Sequence, residues 1–285
     1  MEETIKIAVI QPSSPPEKEV FEKGLEVLKR AGFIVRSFVD FREDTPSQKA
    51  FLLFEIITSH LFTHLWAARG GFGALKLLPY LDEFFRNYHR TFQFPQIIGF
   101  SDITILHFYF YKRLKKRGLH APMVVNLSNT EKGALRKTFS LIRGEVSQYK
   151  LRGRAFRKGE ARGVLLGGNL MSLASLCGTN YFPKEEKEII LFIEETNEPL
   201  YRIERAFLQS LFSFPQRALK GLVLGDLGEV NPLEFLERVS EFLPDHVAVA
   251  FSFPFGHTAK NFPIVFGAMA NLKVYEKIAE LEIKL

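Results

Sequence analysis

Short apolar runs alternate with stretches of helical period through the first half of the chain. Ile5–Ile10 reads as a strand and ends at Gln11-Pro12-Ser13-Ser14-Pro15-Pro16, a turn and helix-start signal. Phe21, Leu25 and Leu28 then recur at helical spacing, and Gly32 stands where that helix stops. Phe33–Phe38 predicts the next strand, Ser47–Ser59 a helix, and Thr63–Ala67 a strand closing on Arg69-Gly-Gly-Phe-Gly73. A helix from Ala74 to about Tyr88, despite Pro79, leads to the strand Gln96–Phe100 and a helix over Asp102–Arg117. Strand–helix alternation of this kind predicts a parallel sheet covered on both faces, with a ligand crevice at the carboxyl ends of the strands. Pro12-Ser13-Ser14, Arg69–Gly73 and Ser101-Asp102 all fall at those ends.

The pattern is weaker across 126–162, where a polar, basic stretch predicts one helix and a linker. It resumes with strands over Gly163–Leu166, Ile189–Ile193, Gly221–Leu224 and Val247–Phe251 and helices around Cys177 and Tyr201–Phe212. This predicts a second, smaller and less regular α/β domain. The domain limits are 1–145, a linker over 146–160, and 161–285.

Composition narrows the function classes. The 285 residues are 46% hydrophobic and 25% charged, with 29 phenylalanines spread along the chain as core filling. The net charge is +6, with dense basic stretches at Lys112–Arg117 and Lys150–Arg162. The first lies at a predicted helix end, where cations complement the dipole. Neither interleaves aromatics and glycines as an RNA-binding sheet does, so no nucleic-acid partner is expected. A single cysteine, Cys177, rules out an internal disulfide. The acidic start, and the lack of any run near the ~20 apolar residues of a membrane span, predict a cytoplasmic protein with no membrane partner.

Four stretches carry candidate chemistry, each with a plainer alternative. Gly99-Phe-Ser-Asp102 sits at a strand-to-helix turn, which can expose a nucleophilic hydroxyl beside backbone N–H donors, or simply cap a helix with Ser101. Arg69–Gly73 can present amides to an anion, or be a tight turn; it matches neither phosphate-binding glycine pattern. Glu194-Glu195 ends an apolar strand, where a carboxylate can orient a histidine or merely meet solvent. His257 follows Phe255-Gly256 at a strand-to-loop transition, suited to proton transfer. His60 and His64 are four apart but lack the glutamate of a zinc helix, His107 reads as packed within a helix, and Cys177 reads as a small core residue in an apolar helix. No metal or cofactor is expected.

Taken in order, these motifs resemble the LD-carboxypeptidase family of serine peptidases, which includes the microcin-immunity hydrolases. The resemblance runs through Ile7-Ala-Val-Ile-Gln-Pro-Ser-Ser14, Arg69–Gly73, Leu77-Leu-Pro-Tyr-Leu-Asp82, Gly99–Thr104, His120-Ala-Pro-Met123, Gly167-Gly-Asn-Leu170, Gly178-Thr179, Leu191–Glu195, Pro199–Arg205 and Phe255-Gly-His-Thr258. It implies a flavodoxin-like or glutaminase-like N-terminal domain carrying the nucleophile Ser101. It also implies a swivelling-type C-terminal domain carrying Glu194 and the general base His257. Backbone N–H groups of Asp102, Gly70 and Gly71 would form the oxyanion hole. Arg69, Phe72 and Arg205 are candidates for substrate contact. Phe72, Ala121 and Glu204 depart from the family's usual tyrosine, glycine and aspartate. The expected reaction is hydrolysis of an L,D amide bond, releasing D-alanine from murein tetrapeptide, by a homodimer. Cleavage of a peptidyl-nucleotide antibiotic is the nearer alternative, and a non-catalytic two-domain binding protein the more distant one.

Overall fold

The computed structural model describes residues 4–42, 44–86, 88 and 93–285. The first part runs β1 (Lys6–Ile10), α1 (Lys18–Arg30), β2 (Ile34–Ser37), α2 (Pro46–Thr58), β3 (His64–Ala67), α3 (Ala74–Arg86), β4 (Gln96–Ile98), α4 (Thr104–Leu114), β5 (Gly118–His120) and α5 (Lys132–Ile142). The second runs β6 (Gln148–Arg157), β7 (Gly159–Asn169), α6 (Leu170–Ala174), β8 (Ile189–Glu194), α7 (Leu200–Ser213), β9 (Leu219–Leu224), α8 (Pro232–Val239), β10 (Ala248–Phe251), β11 (Ile264–Phe266), β12 (Met269–Val274) and β13 (Ile278–Lys284).

The local signals explain most starts and stops. Thr45 caps α2 in a reciprocal box with Gln48, with Pro46 opening the helix. Helix α1 buries Phe21 and Leu28 and leaves its charged face to solvent. Pro79 sits inside α3 without ending it. The expected helix over 102–117 is shorter: a 3-10 turn covers Ser101–Ile103, α4 begins at Thr104, and Lys115 closes it in the left-handed region.

The first sheet has the order β11-β5-β4-β3-β1-β2. Strands β1 to β5 are parallel, and β3 is buried throughout, while edge strand β2 is mostly open. Strand β11 returns from late in the chain and pairs antiparallel with β5, covering an edge whose backbone would otherwise lack partners. The second sheet is a closed barrel of order β10-β6-β13-β12-β7-β8-β9. Its β7-β8-β9-β10 arc is parallel and its remaining pairs are antiparallel. Strand β8 is buried at every position, as a strand covered on both faces must be.

Two expectations change here. The segment expected as a linker, 146–160, holds the ten-residue strand β6 and the start of β7. Tyr149 and Leu151 face inward while Lys150 and Arg152 face out toward Glu280 and Glu282 of β13. The basic run is one face of an amphipathic strand with opposite charges across the ladder. Cys177 lies not in a helix but in the turn after α6, half-buried, its sulfur 3.9 Å from the Leu173 carbonyl.

Candidate active site

Parallel β4 delivers its last residues to the crevice side of the first sheet, where the chain turns sharply. Ser101 adopts φ 60°, a left-handed conformation that costs a non-glycine residue about 1–3 kcal/mol. The turn lifts the hydroxyl out of the strand line, and among the described residues no side-chain hydrogen bond holds it. Gly70 is its near neighbour: a Cβ built there would lie 3.1 Å from Ser101 Oγ. Gly71, at φ 102°, lies so close to Ser14 that an added Cβ would come within 2.5 Å of its hydroxyl. Ser14 Oγ accepts from the Phe72 N–H at 3.2 Å, and the Ser14 N–H donates to the Gly70 carbonyl at 3.3 Å. The glycine turn after β3 is thereby tied to the serine turn after β1.

The Asp102 side chain has a structural task. Its buried Oδ2 accepts from the Ser13 hydroxyl at 2.6 Å and from the Ala74 N–H at 2.9 Å. Burial pushes its carboxyl above the usual carboxylate range, with Ser13, Ala74 and Lys49 working the other way. One carboxyl thus joins the turns after β1, β3 and β4. The backbone N–H of Asp102 is a separate group.

The barrel contributes the proton-handling pair. Glu194 ends β8 with no exposed surface, and its Oε2 meets His257 Nδ1 at 2.6 Å. Burial works against charge on His257. The hydrogen bond and charge of Glu194, with Glu195 and Asp226 farther off, outweigh it and hold the imidazole pKa above its ordinary value. Glu195 is a scaffold: it accepts from Asn169 Nδ2, the Met171 N–H and the Thr196 N–H at 3.0, 2.9 and 2.8 Å.

The two sheets meet at this place. The Phe100 ring, one residue before Ser101, packs on the His257 ring with centroids 4.7 Å apart. The Asn169 N–H at the end of β7 donates to Thr104 Oγ1 at the start of α4, buried, at 3.0 Å. No hydrogen bond joins the Ser101 hydroxyl to His257. Next to Phe100 lies His120, fully buried, ringed by Phe100, Phe192 and Phe255, with neither ring nitrogen partnered among the described residues.

The three candidates for substrate contact are scattered. Arg69 is exposed and its guanidinium donates to the Pro15 carbonyl at 3.0 Å. Phe72 is 63% exposed, with the Lys76 ammonium 4.6 Å above its ring. Arg205 lies on the exposed face of α7 over Tyr201, and Glu204 beside it faces Arg238 at 3.5 Å. None of the three contacts Ser101, Glu194 or His257 by a hydrogen bond or ring.

Ser13, Asn169, Glu195, Asp226, His120 and Asn261 were not picked out as individual members of the site in the sequence. Ser13, Glu195, His120 and Asn169 fall within stretches the sequence marks, though without roles of their own, while Asp226 and Asn261 carry no signal.

Comparison with known proteins shows the family. The sequence model of the LD-carboxypeptidase N-terminal domain matches residues 7–121, and that of the LD-carboxypeptidase C-terminal domain matches 162–272. The chain belongs to the LD-carboxypeptidase family. It is a serine peptidase by that membership. The murein tetrapeptide carboxypeptidase of Pseudomonas aeruginosa is 27% identical, over 97% of this chain and 93% of its own length. The microcin C7 self-immunity protein MccF of Escherichia coli is 27% identical, over 69% of this chain and 67% of its own. In fold, the muramoyltetrapeptide carboxypeptidase of Oxalobacter formigenes superposes with a TM-score of 0.82 at 23% identity, covering 98% of this chain and 99% of that one.

Proposed function

We propose that the protein is a murein tetrapeptide carboxypeptidase that releases the terminal D-alanine from an L,D amide bond. The observation that carries this is the short His257–Glu194 hydrogen bond set against the turn that strains a half-buried Ser101. Relatives named for murein peptides support the substrate class.

In this reading His257 takes the proton of Ser101 Oγ as the oxygen attacks the substrate carbonyl. Glu194 holds the imidazole in the tautomer with Nε2 free and stabilises the imidazolium that forms. The oxyanion is met by the N–H groups of Asp102, Gly70 and Gly71. His257 then gives its proton to the departing amine, and water resolves the acyl-enzyme by the reverse route. The hydroxyl and imidazole close to hydrogen-bond distance when substrate is bound, as catalytic contacts commonly tighten in the complex. Arg69 or Arg205 would pair with a substrate carboxylate, and Phe72 would contact substrate. We further infer a cytoplasmic homodimer from the family resemblance.

Mass-spectrometric conversion of murein tetrapeptide to tripeptide is the test, with Ser101→Ala as the inactive control. MccF, seen in complex with aspartyl sulfamoyl adenosine, has a TM-score of 0.81 against this chain. Cleavage of an aminoacyl-nucleotide conjugate with the tetrapeptide left intact would replace the murein reading by the immunity one.

A further inference from the structure

Beside His257 lies a cavity of about 230 Å³. Asn126, Asn129 and Thr130, which follow β5, line one part of it, and Thr258 and Asn261, which follow His257, line another. The two segments are pinned together by the Glu131 N–H, which donates to the Ala259 carbonyl at 2.8 Å.

Asn261 is 2% exposed. Its Oδ1 accepts from the Gly256 N–H at 3.1 Å, one residue before His257, so the side chain fixes the peptide that aims the imidazole. Its Nδ2 is buried and has no partner among the described residues. An amide donor left without an acceptor in a protein interior is costly, and a fixed site keeps one where a ligand supplies the acceptor. The remaining lining is rich in amides and hydroxyls. Its one titratable side chain is His257, whose charge is already matched by Glu194. A carboxylate entering here would lose its hydration without gaining a cation, whereas a peptide amide would find both donors and acceptors.

We propose that this cavity is the subsite for the uncharged peptide amide on the acyl side of the cleaved bond, with Asn261 Nδ2 donating to a substrate carbonyl. The identity of the ligand rests on the hydrolase reading above. The departing D-alanine, which carries a carboxylate, lies outside this cavity. Asn261 is therefore a binding residue through Nδ2 and a positioning residue for His257 through Oδ1.

The test is calorimetric titration of Ser101→Ala protein with murein tetrapeptide and, separately, with the tripeptide product. Asn261→Asp keeps an oxygen acceptor for Gly256, replaces the Nδ2 donor by an oxygen and adds a negative charge close to His257, so the uncharged Asn129→Ala is read beside it. Asn261→Asp should weaken binding of both peptides about ten-fold, the loss of one hydrogen bond. Asn129→Ala, at an exposed position that cannot disturb folding, should weaken both in the same direction by about three-fold. Free D-alanine should bind no differently to any variant. Equal peptide affinities in all three proteins, or loss of tetrapeptide binding alone, overturn the proposal. The two readings fail separately. If the unmutated enzyme releases no D-alanine but Asn261→Asp still weakens peptide binding, the hydrolase reading falls and the subsite stands. If hydrolysis occurs and affinities are unchanged, the subsite falls alone.

Discussion

The two sides of the site are built on opposite plans. On the first sheet Ser101 is strained, free of side-chain hydrogen bonds among the described residues, and surrounded by turns tied to one another through Asp102 and Ser14. On the barrel, Glu194 and His257 are locked to each other, and Glu195 beside them is held by three donors. One side stores reactivity in backbone geometry; the other stores it in electrostatics. The difference teaches where each kind of damage would show. A change on the barrel should alter proton handling and its pH dependence. A change among the turns should alter attack and oxyanion support while the imidazole keeps its pKa.

The largest effects test that division directly. Ser101→Ala should abolish D-alanine release, by more than about 10⁴-fold in kcat, with the fold intact by circular dichroism. Glu194→Gln should cost about 10⁴-fold in kcat and also move the acid limb of kcat/KM to lower pH. The sign follows from His257: it must be neutral to accept a proton, and Glu194 raises its pKa, so the wild-type limb lies above pH 6.5 and drops when that charge is removed. A limb that stays in place in Glu194→Gln would sink the electrostatic half of the comparison.

Smaller effects separate folding from attack. A Cβ on Gly167, at φ 144°, would come within 1.7 Å of the Phe192 carbonyl oxygen. Gly167→Ala should therefore destabilise the barrel by about 3–4 kcal/mol, read by denaturant unfolding. The nearest atoms to a Cβ in Gly70→Ala belong to the Ser101 side chain, at 3.0–3.1 Å, and the Met123 side chain, at 3.3 Å. This variant should lower kcat about 10²-fold with stability changed by less than about 1 kcal/mol. Equal stability losses in the two variants would erase the distinction.

The smallest effect concerns pH and stability. Burial lowers the pKa of His64 and His107 to about 4, and that of His120 well below its usual value. Each is depressed in the folded state, so the unfolded chain binds more protons between about pH 4 and 6.5, and stability falls as pH drops through that window. Tm should decline by about 5 °C between pH 7 and 5, and His107→Gln should flatten the decline. A Tm constant across that range would mean the buried imidazoles do not titrate on unfolding.

Much of the first sheet was legible because its strands are short apolar runs and its helices carry period and caps. Ser101 stood out as a candidate because strand ends in a parallel sheet face the crevice, whereas Glu194 and His257 took their roles from the ordered motifs that resemble the family. Strand β6 was not legible, because its basic residues mask an alternation that only pairing with Glu280 and Glu282 explains. Strands β11, β12 and β13 were also missed: β11 has three residues and pairs with β5 far back in the chain, and β12 and β13, though neighbours that pair with each other, find their other partners in β7 and β6. Asn261 had no signal: an asparagine in a loop looks the same whether solvent or a buried peptide receives it.

Local chemistry in the sequence settled most strands and helices of the first half, though not β5, and pointed to turns rich in glycine and to side chains suited to handle protons. Tertiary structure alone decided that the last strands close a barrel and return one strand to the first sheet. It also decided that Asp102 serves three turns through its side chain, and that Glu194 is dry enough to hold His257 strongly. Period and propensity act over a few residues, whereas burial, pKa and pairing depend on neighbours that the chain brings together from far apart.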